Sequence, residues 1–297
     1  MFEETTVRNL VVVRAGEASL HETWLDAAPR TWDLIVSYYG DDPRRFRRDD
    51  VTRIDQKGGK FEGLHALFTG RPELLKTYDY VWLPDDDLAA DCATINRIFA
   101  AMEEYELHIA QPSLAPSSYA SFSELIRNPE FRLRYTTFVE NMMPCFEARY
   151  LAEIVHLFAG LRFGWNLDRY WTRMIVEPPY RAAIIDACEV VHTRALGGGT
   201  LYTSGSATAE GDRVAAAFAP LRMTRGAIYG GITRDGRLLR RGPAFAWRSL
   251  KGIGAVSRHV RGRDSSKAGR LFRLRALRRH TVQRVDLSPV PVPAAIP

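Results

Sequence analysis

Tyr78-Asp79-Tyr80-Val81-Trp82-Leu83-Pro84-Asp85-Asp86-Asp87-Leu88 is the stretch on which the fold turns. Tyr80 to Leu83 has the length and composition of a buried strand. It stops in a proline and three consecutive carboxylates, which repel one another unless water or a cation neutralises them. Just past the carboxyl end of a strand is where open α/β sheets keep their ligands. Oxygen ligands of this kind suit Mg²⁺ or Mn²⁺, ions that commonly hold substrate phosphates too. The competing reading is an acidic turn that caps a helix over about 91–105.

Upstream, Leu10 to Val13 reads as a first strand, a helix is expected over about 19–28, and residues 33–39 form a second strand closing in Gly40-Asp41-Asp42-Pro43. Strand, helix, strand with short connections is the βαβ signature of a parallel sheet. Arg14, just after the first strand, is placed to clamp phosphate, and Asp41 or Asp42 to take ribose hydroxyls or a base edge. A solvated turn is the plainer reading of both acids. Asp55-Gln56-Lys57-Gly58-Gly59-Lys60-Phe61 leads into a helix through Leu64, Leu67 and Phe68. Its glycines and lysines can present N–H groups and ammonium charge to phosphate. The Walker A spacing is absent, and a flexible turn fits Lys57 and Lys60 equally.

Downstream, Ile95, Ile98, Phe99 and Met102 recur at helical spacing, and residues 107–112 read as a strand with proline tolerated at its end. His108 alternates with apolar neighbours and reads as structural. The polar stretch 113–134, with Arg127, Arg132 and Arg134, suggests a flap over a site. Residues 137–146 look like a buried strand with one acid inside, Glu140, which needs a salt bridge or a site. An amphipathic helix is expected over about 147–160. In Phe163-Gly164-Trp165-Asn166-Leu167-Asp168, Trp165 offers a flat face for a sugar ring. Asp168 opens a helix running to about 176, as a dipole-stabilising acid or as a general base. A short strand, 182–186, precedes His192, whose ring nitrogen can complete a metal shell begun by Asp85 and Asp87. Gly197 to Gly199 allow a mobile loop.

The chain has 297 residues, 46% hydrophobic and 26% charged, which suits one large α/β domain with an appendage. We divide it into a catalytic domain over 1–205, a helix-and-hairpin extension over 206–255 that packs on it, and a basic tail over 256–297. Residues 212–225 suggest the helix, and Arg234-Asp235-Gly236-Arg237 the hairpin turn. Between Arg258 and Arg284 lie ten Lys/Arg and one acid, Asp264. Removing that segment from the 41 basic and 35 acidic residues of the chain leaves 31 and 34. The body is thus mildly acidic, which argues against nucleic acid as its partner, and the tail seeks an anionic surface. Leu271, Leu274 and Leu277 share a face among arginines, as in an interfacial helix on anionic lipid; a disordered polybasic tail is the alternative. Three scattered cysteines and no CxxC indicate a reducing compartment and no structural zinc. With no apolar run long enough for a signal peptide or a span, a cytoplasmic protein is expected, peripheral at most on the inner membrane face.

The order of these pieces resembles the family catalogued as domain of unknown function seven hundred and seven, which is similar to glycosyltransferases of the GT-A fold. The resemblance covers about residues 9–200. It is carried by Tyr78 to Leu88, Leu107-His108-Ile109-Ala110-Gln111-Pro112-Ser113-Leu114, Phe138 to Phe146, Gly164 to Asp168, and Val191-His192. Asp86 departs from the family pattern, which has Glu in the middle of the triplet. What the resemblance implies is a GT-A-like α/β fold, a Rossmann-like and mostly parallel sheet flanked by helices, with a C-terminal extension. It further implies a transferase that uses a nucleotide-sugar donor, a UDP-sugar being favoured. Carried over, Asp85 and Asp87 bridge Mn²⁺ or Mg²⁺ to the donor diphosphate, with His192 as third ligand and Asp86 beside the donor. Such chemistry needs a leaving diphosphate neutralised and, for inversion, a carboxylate base. Asp168 is the first choice for the base and Glu140 the second, Glu140 and Trp165 otherwise holding a glycan or glycolipid acceptor. Surface polysaccharide synthesis is the expected setting. A sugar-phosphate nucleotidyltransferase, or a non-catalytic carbohydrate-binding protein on the same fold, are the alternatives.

Overall fold

A computed structural model describes residues 8–25, 29–174, 179–195, 206–221, 226–261 and 266–297. The helix expected from 19 is a 3-10 turn, His21–Trp24, within those residues. The amino-terminal half builds β1 (Asn9–Ala15), β2 (Asp33–Tyr38), β3 (Thr52–Asp55), α1 (Lys60–Gly70), α2 (Leu74–Thr77), β4 (Tyr80–Trp82), β5 (Leu88–Ala89), α3 (Cys92–Glu104) and β6 (Ile109–Leu114). β7 (Phe131–Thr136), β8 (Cys145–Glu147), α4 (Ala148–Ile154), β9 (Ala182–His192), α5 (Ser206–Ala217), β10 (Ile228–Thr233), β11 (Leu238–Arg240), α6 (Pro243–Val256) and α7 (Ser266–Thr281) follow.

One sheet of order β11-β10-β7-β9-β6-β8-β4-β1-β2-β3 runs through the molecule, with β5 paired to β9 off its path. β3, β2, β1 and β4 are mutually parallel. β8 lies antiparallel to both β4 and β6, and β9 is parallel to β6, so β6 and β9 point the same way as β1 to β4. The carboxyl ends of β1, β2, β3, β4, β6 and β9 therefore share one rim. Side chains alternate across the sheet with the period of two that strands impose. Val11 and Val13 join α3 (Ile95, Ile98, Phe99, Met102) and Phe245, Phe272 and Ala276 on one face. Leu10 and Val12 join α1 (Phe61, Leu64, Leu67, Phe68), α4 (Leu151, Ile154) and Val214 and Phe218 of α5 on the other. The result is three layers, α/β/α.

Several expectations shift. β3, an edge strand that alternates Arg53 and Asp55 with Ile54, was not expected, nor was β5. Residues 113–134 are loop-like only in part: β6 runs to Leu114 and β7 begins at Phe131, so Arg132 and Arg134 lie in a strand, while 115–130 is irregular apart from the 3-10 turn Ser123–Leu125. Pro112 sits inside β6, where the register with β9 shifts, which is a place a strand tolerates proline. Only 145–147 of the stretch expected as a strand is β8; residues 137–144 are apolar because they are buried, not because they pair. Asp168 opens no α-helix but a pair of 3-10 turns, Leu167–Arg169 and Trp171–Arg173. The short strand after 182 is one long strand that continues through Asp186. Asp186 is tolerated there because Arg134 grips it at 2.7 and 2.9 Å, both side chains being fully buried. The helix expected over 212–225 starts at 206 and stops at 217. The glycine run 197–199 lies outside the described residues. Cys92, Cys145 and Cys188 are buried and unbridged.

The carboxy-terminal elements are built into the main body. β10 pairs with β7 and extends the sheet. The basic tail forms α7, but the face it buries is Phe272, Ala276 and His280, leaving Leu271 and Leu274 exposed. No helix among the described residues is long and apolar enough to cross a membrane.

Candidate active site

The acidic triplet hangs off β4 at the shared rim, and each carboxylate meets a different neighbour. Asp91, not the triplet, caps α3: its side chain accepts from Thr94 N–H at 2.6 Å. Asp85 accepts from Lys60 Nζ at 2.7 Å, and the same ammonium donates to the carbonyls of Asn141 and Met142 at 2.8 and 3.0 Å. Asp86 is buried and accepts from Gly16 N–H at 2.7 Å and from Arg194 Nη1 at 3.1 Å, with Tyr39 OH at 3.4 Å. Burial raises its pKa, and those donors oppose the rise. Asp87 Oδ2 lies 3.3 Å from His192 Nε2. β5 causes this meeting, because Leu88 stands opposite His192 in its register with β9 and Thr193 N–H donates to Asp87 O at 3.1 Å.

His192 Nδ1 is 2.7 Å from the carbonyl of Tyr119, which only accepts, so Nδ1 carries a proton and Nε2 faces Asp87. Burial disfavours the imidazolium, yet the hydrogen bond and charge of Asp87, the Tyr119 carbonyl and Asp85 together raise its pKa. Asp87 Oδ1 is buried without a hydrogen-bond partner. Such an orphaned carboxylate oxygen beside an imidazole fits a divalent ion. Among the described residues, however, no group of three His, Cys, Asp or Glu stands in metal-binding geometry. Asp85, expected as a ligand, is drawn to Lys60 instead, because an ammonium already neutralises it.

Two more carboxylates stand nearby. Glu140 is held in its loop by its own N–H, which donates to Gln111 Oε1 at 2.5 Å, while its Oε2 and Gln111 Nε2 are buried without partners. Desolvation first, then the charges of Asp168 and Asp85, push Glu140 up to about 8, against the pull of His192. Burial also lifts Asp168 to about 6, opposed by the Arg169 guanidinium and a hydrogen bond from the Asn141 backbone. The mutual influence of Glu140, Asp168, His192 and Asp85 gathers them into one electrostatic cluster. At neutral pH it contains a charged Asp168 and a protonated Glu140.

The Trp165 loop follows from backbone constraints. Gly164 has φ +68°, and a Cβ there would collide with the Phe61 ring. Asn141 Nδ2 reaches the carbonyls of Phe163 and Gly164 at 3.3 Å, and Trp165 is 39% exposed at the loop's tip. From behind, Glu210 of α5 accepts the N–H groups of Arg162, Phe163 and Gly164 at 2.5, 3.0 and 2.6 Å.

The rim's basic residues are spent differently from expectation. Arg14 is buried and donates to Ser37 Oγ (2.7 Å) and to the carbonyls of Gln56 (3.0 Å) and Gly58 (2.7 Å). Its Nη atoms tie the lysine-glycine loop to β1 and β2 instead of standing free at the rim; burial lowers its pKa to about 10. Lys57 pairs with Asp41 at 2.6 Å and with the carbonyls of Tyr39 and Gly40. Asp42 caps its own turn through Arg44 N–H at 2.8 Å. Asp41 and Asp42 are exposed at the end of β2. His108 is structural, 3.6 Å from Glu147. Arg194, Tyr39, Gln111 and Glu210 carry no local signal in the sequence, since their contacts span from 29 to 108 residues of chain.

This architecture is known among solved structures. GalNAc-T7 with UDP, GalNAc and Mn²⁺ matches with a TM-score of 0.52 at 10% identity, over 73% of this chain and 50% of that one. The chain thus spans half the length of that structure. S. aureus TarS 1-349 with UDP-GlcNAc matches at 0.48 and 11% identity, over 91% and 88% of the two chains. A putative nucleotide-diphospho-sugar transferase from Desulfovibrio desulfuricans G20 gives 0.32 at 12%, over 52% and 69%. No protein-family model and no curated protein matches the chain. The class of protein this establishes is one of fold: a GT-A glycosyltransferase fold, with a mostly parallel central sheet flanked by helices.

Proposed function

We propose that the chain is a metal-dependent glycosyltransferase that moves a sugar from a nucleotide-diphosphate donor, a UDP-sugar being favoured, to a glycan or glycolipid acceptor. The observation that carries this is Asp87, buried with one oxygen on His192 and the other without a partner, at the rim where such folds hold ligands. Asp87 and His192 would hold Mn²⁺ or Mg²⁺, with Asp85 available once Lys60 releases it. When bound, the ion supplies Lewis-acid neutralisation of the leaving diphosphate.

The chain's own residues do the rest. Arg194, already at the rim on Asp86, adds cationic charge beside the diphosphate. Asp168, charged at neutral pH, takes the proton from the acceptor hydroxyl as that oxygen bonds to the anomeric carbon of the donor sugar and the bond from that carbon to the nucleoside diphosphate breaks. Glu140, protonated at the same pH, donates a hydrogen bond and holds the acceptor without competing for that proton. Trp165 presents its ring face to the acceptor sugar. Kinship with the family seven hundred and seven of unknown function belongs to the same proposal.

A nucleotidyltransferase would want N–H groups of the first loop turned to phosphate. Here Gly16 N–H goes to Asp86 and the Arg14 guanidinium to Ser37 and the 56–58 backbone, which favours the transferase. The purified chain is expected to hydrolyse or transfer from a nucleotide sugar only with Mn²⁺ or Mg²⁺, and Asp87→Ala to abolish this. Full activity in EDTA would overturn the reading.

A further inference from the structure

The helical layer formed by α6 and α7 has an outer face that no described residue covers. Both helices bury their inner stripes over β7. Phe245 packs on Phe131 at 5.4 Å and on His280 at 6.1 Å, and His280 Nε2 lies 3.1 Å from Arg134. Their outer stripes consequently point away from the sheet. On α6 that stripe holds Trp247 and Leu250, 68% and 42% exposed; on α7 it holds Leu271 and Leu274, 46% and 59% exposed, and Val282 lies just beyond. Residues 234–284 carry sixteen Lys/Arg against two acids, Asp235 and Asp264. Some of this charge is satisfied internally: Arg248 and Lys251 pair with Glu130, and Arg279 with Glu124. Arg258, Arg270, Arg275 and Arg278 are exposed and meet no acidic partner among the described residues.

We infer that this face docks on an anionic phospholipid surface, with Trp247, Leu250, Leu271 and Leu274 entering the headgroup boundary and the arginines binding lipid phosphate. Isolated apolar side chains on a protein surface are ordinary, but a tryptophan and three leucines on adjoining helices, set among exposed arginines, match an interfacial binder. Tryptophan belongs at that boundary, and arginine follows the charge of the lipid. A nucleic-acid surface would use the arginines and leave the leucines without a purpose, so the apolar stripe decides for lipid. The layer also adjoins the candidate site: Arg261, after α6, donates to Ser117 O and lies 4.3 Å over the Tyr119 ring, and the Tyr119 carbonyl holds His192. The inference does not rest on the transfer reading.

The test is co-sedimentation of the full chain with phosphatidylcholine vesicles, with and without phosphatidylglycerol, at low and high salt. The chain should pellet only with phosphatidylglycerol and be released by salt. Each basic residue near such a surface is worth roughly fivefold in partitioning. Arg270→Glu/Arg275→Glu/Arg278→Glu should therefore weaken binding by roughly a hundredfold or more. Trp247→Ser/Leu274→Ser should weaken it by at least about tenfold with the arginines intact. These side chains are exposed, so melting curves of both variants should match the parent; the salt dependence of the parent chain tests the inference without any variant. No binding to phosphatidylglycerol vesicles, or equal binding to uncharged ones, overturns it. Binding to duplex DNA as tight as to vesicles, and indifferent to the Trp247/Leu274 change, overturns it in favour of nucleic acid.

Discussion

Three adjacent aspartates would repel one another if they shared an environment, and here Lys60, Arg194 with Gly16, and His192 each answer one of them. The outer pair and His192 would hold the proposed ion, and for that Asp85 would have to exchange Lys60 for it. Lys60→Met should tighten Mn²⁺ dependence toward lower metal concentration, read as the metal midpoint of donor turnover, because Asp85 then has no resident ammonium. The two buried carboxylates give a second pair of expectations. Glu140, at about 8 in the fold against an ordinary 4.5, binds a proton that the unfolded chain releases first. Stability from this group is therefore present at low pH and lost as pH rises from about 4.5 through 8. Glu140→Gln should melt a few degrees above the parent at pH values beyond that window and converge with it below. Asp168 behaves the same way between about 3.8 and 6, so donor turnover should fall as pH drops through about 6. Asp168→Asn should lower kcat by about 10²–10⁴-fold with the donor KM little changed.

At the scale of elements, α5 is the part whose purpose is least evident from its sequence. Its Glu210 gathers three consecutive N–H groups behind the Trp165 and Asp168 turn, and its Phe218 stacks on Tyr170 with ring centroids 4.0 Å apart. Glu210→Ala should thus lower kcat by roughly tenfold to a hundredfold through misplacement of that turn. UDP-induced thermal stabilisation should stay unchanged, and Glu210→Gln should restore part of the rate. β1, β2, β4, α1 and α3 were readable from pattern because each carries a run of apolar residues at its own period. β3 was not, since its exposed edge alternates Ile54 with Arg53 and Asp55. Residues 137–144 look like a strand in the sequence because burial imitates strand composition, and β9 reads as ending at Asp186 because the partner of that acid, Arg134, lies 52 residues away. The site divides the same way: Asp87 and His192 were legible as residue types, but β5, the two-residue strand that brings them together, was not.

Across the whole molecule, one sheet joins the candidate site to the basic layer. The Arg134–Asp186 pair lies between β7 and β9 with both side chains dry, and His280 of α7 rests against it. Burial and the Arg134 charge lower the His280 pKa to about 3, so His280 is neutral and accepts from the guanidinium. Arg134→Met would strand Asp186 and should cost about 3–5 kcal/mol, read as a lowered urea midpoint. The central claim concerns the opposite role of charge, a rim that grips a nucleotide diphosphate through a divalent ion. Calorimetric melting of the chain with UDP, in Mn²⁺ or in EDTA, tests it most directly, beside Asp87→Asn under the same conditions. A ligand at a hundredfold excess over its Kd adds about 2.7 kcal/mol of stability, ample for detection. The account predicts that UDP raises Tm in Mn²⁺ alone and has no effect on the Asp87→Asn variant; the same rise in EDTA, or in that variant, would contradict it.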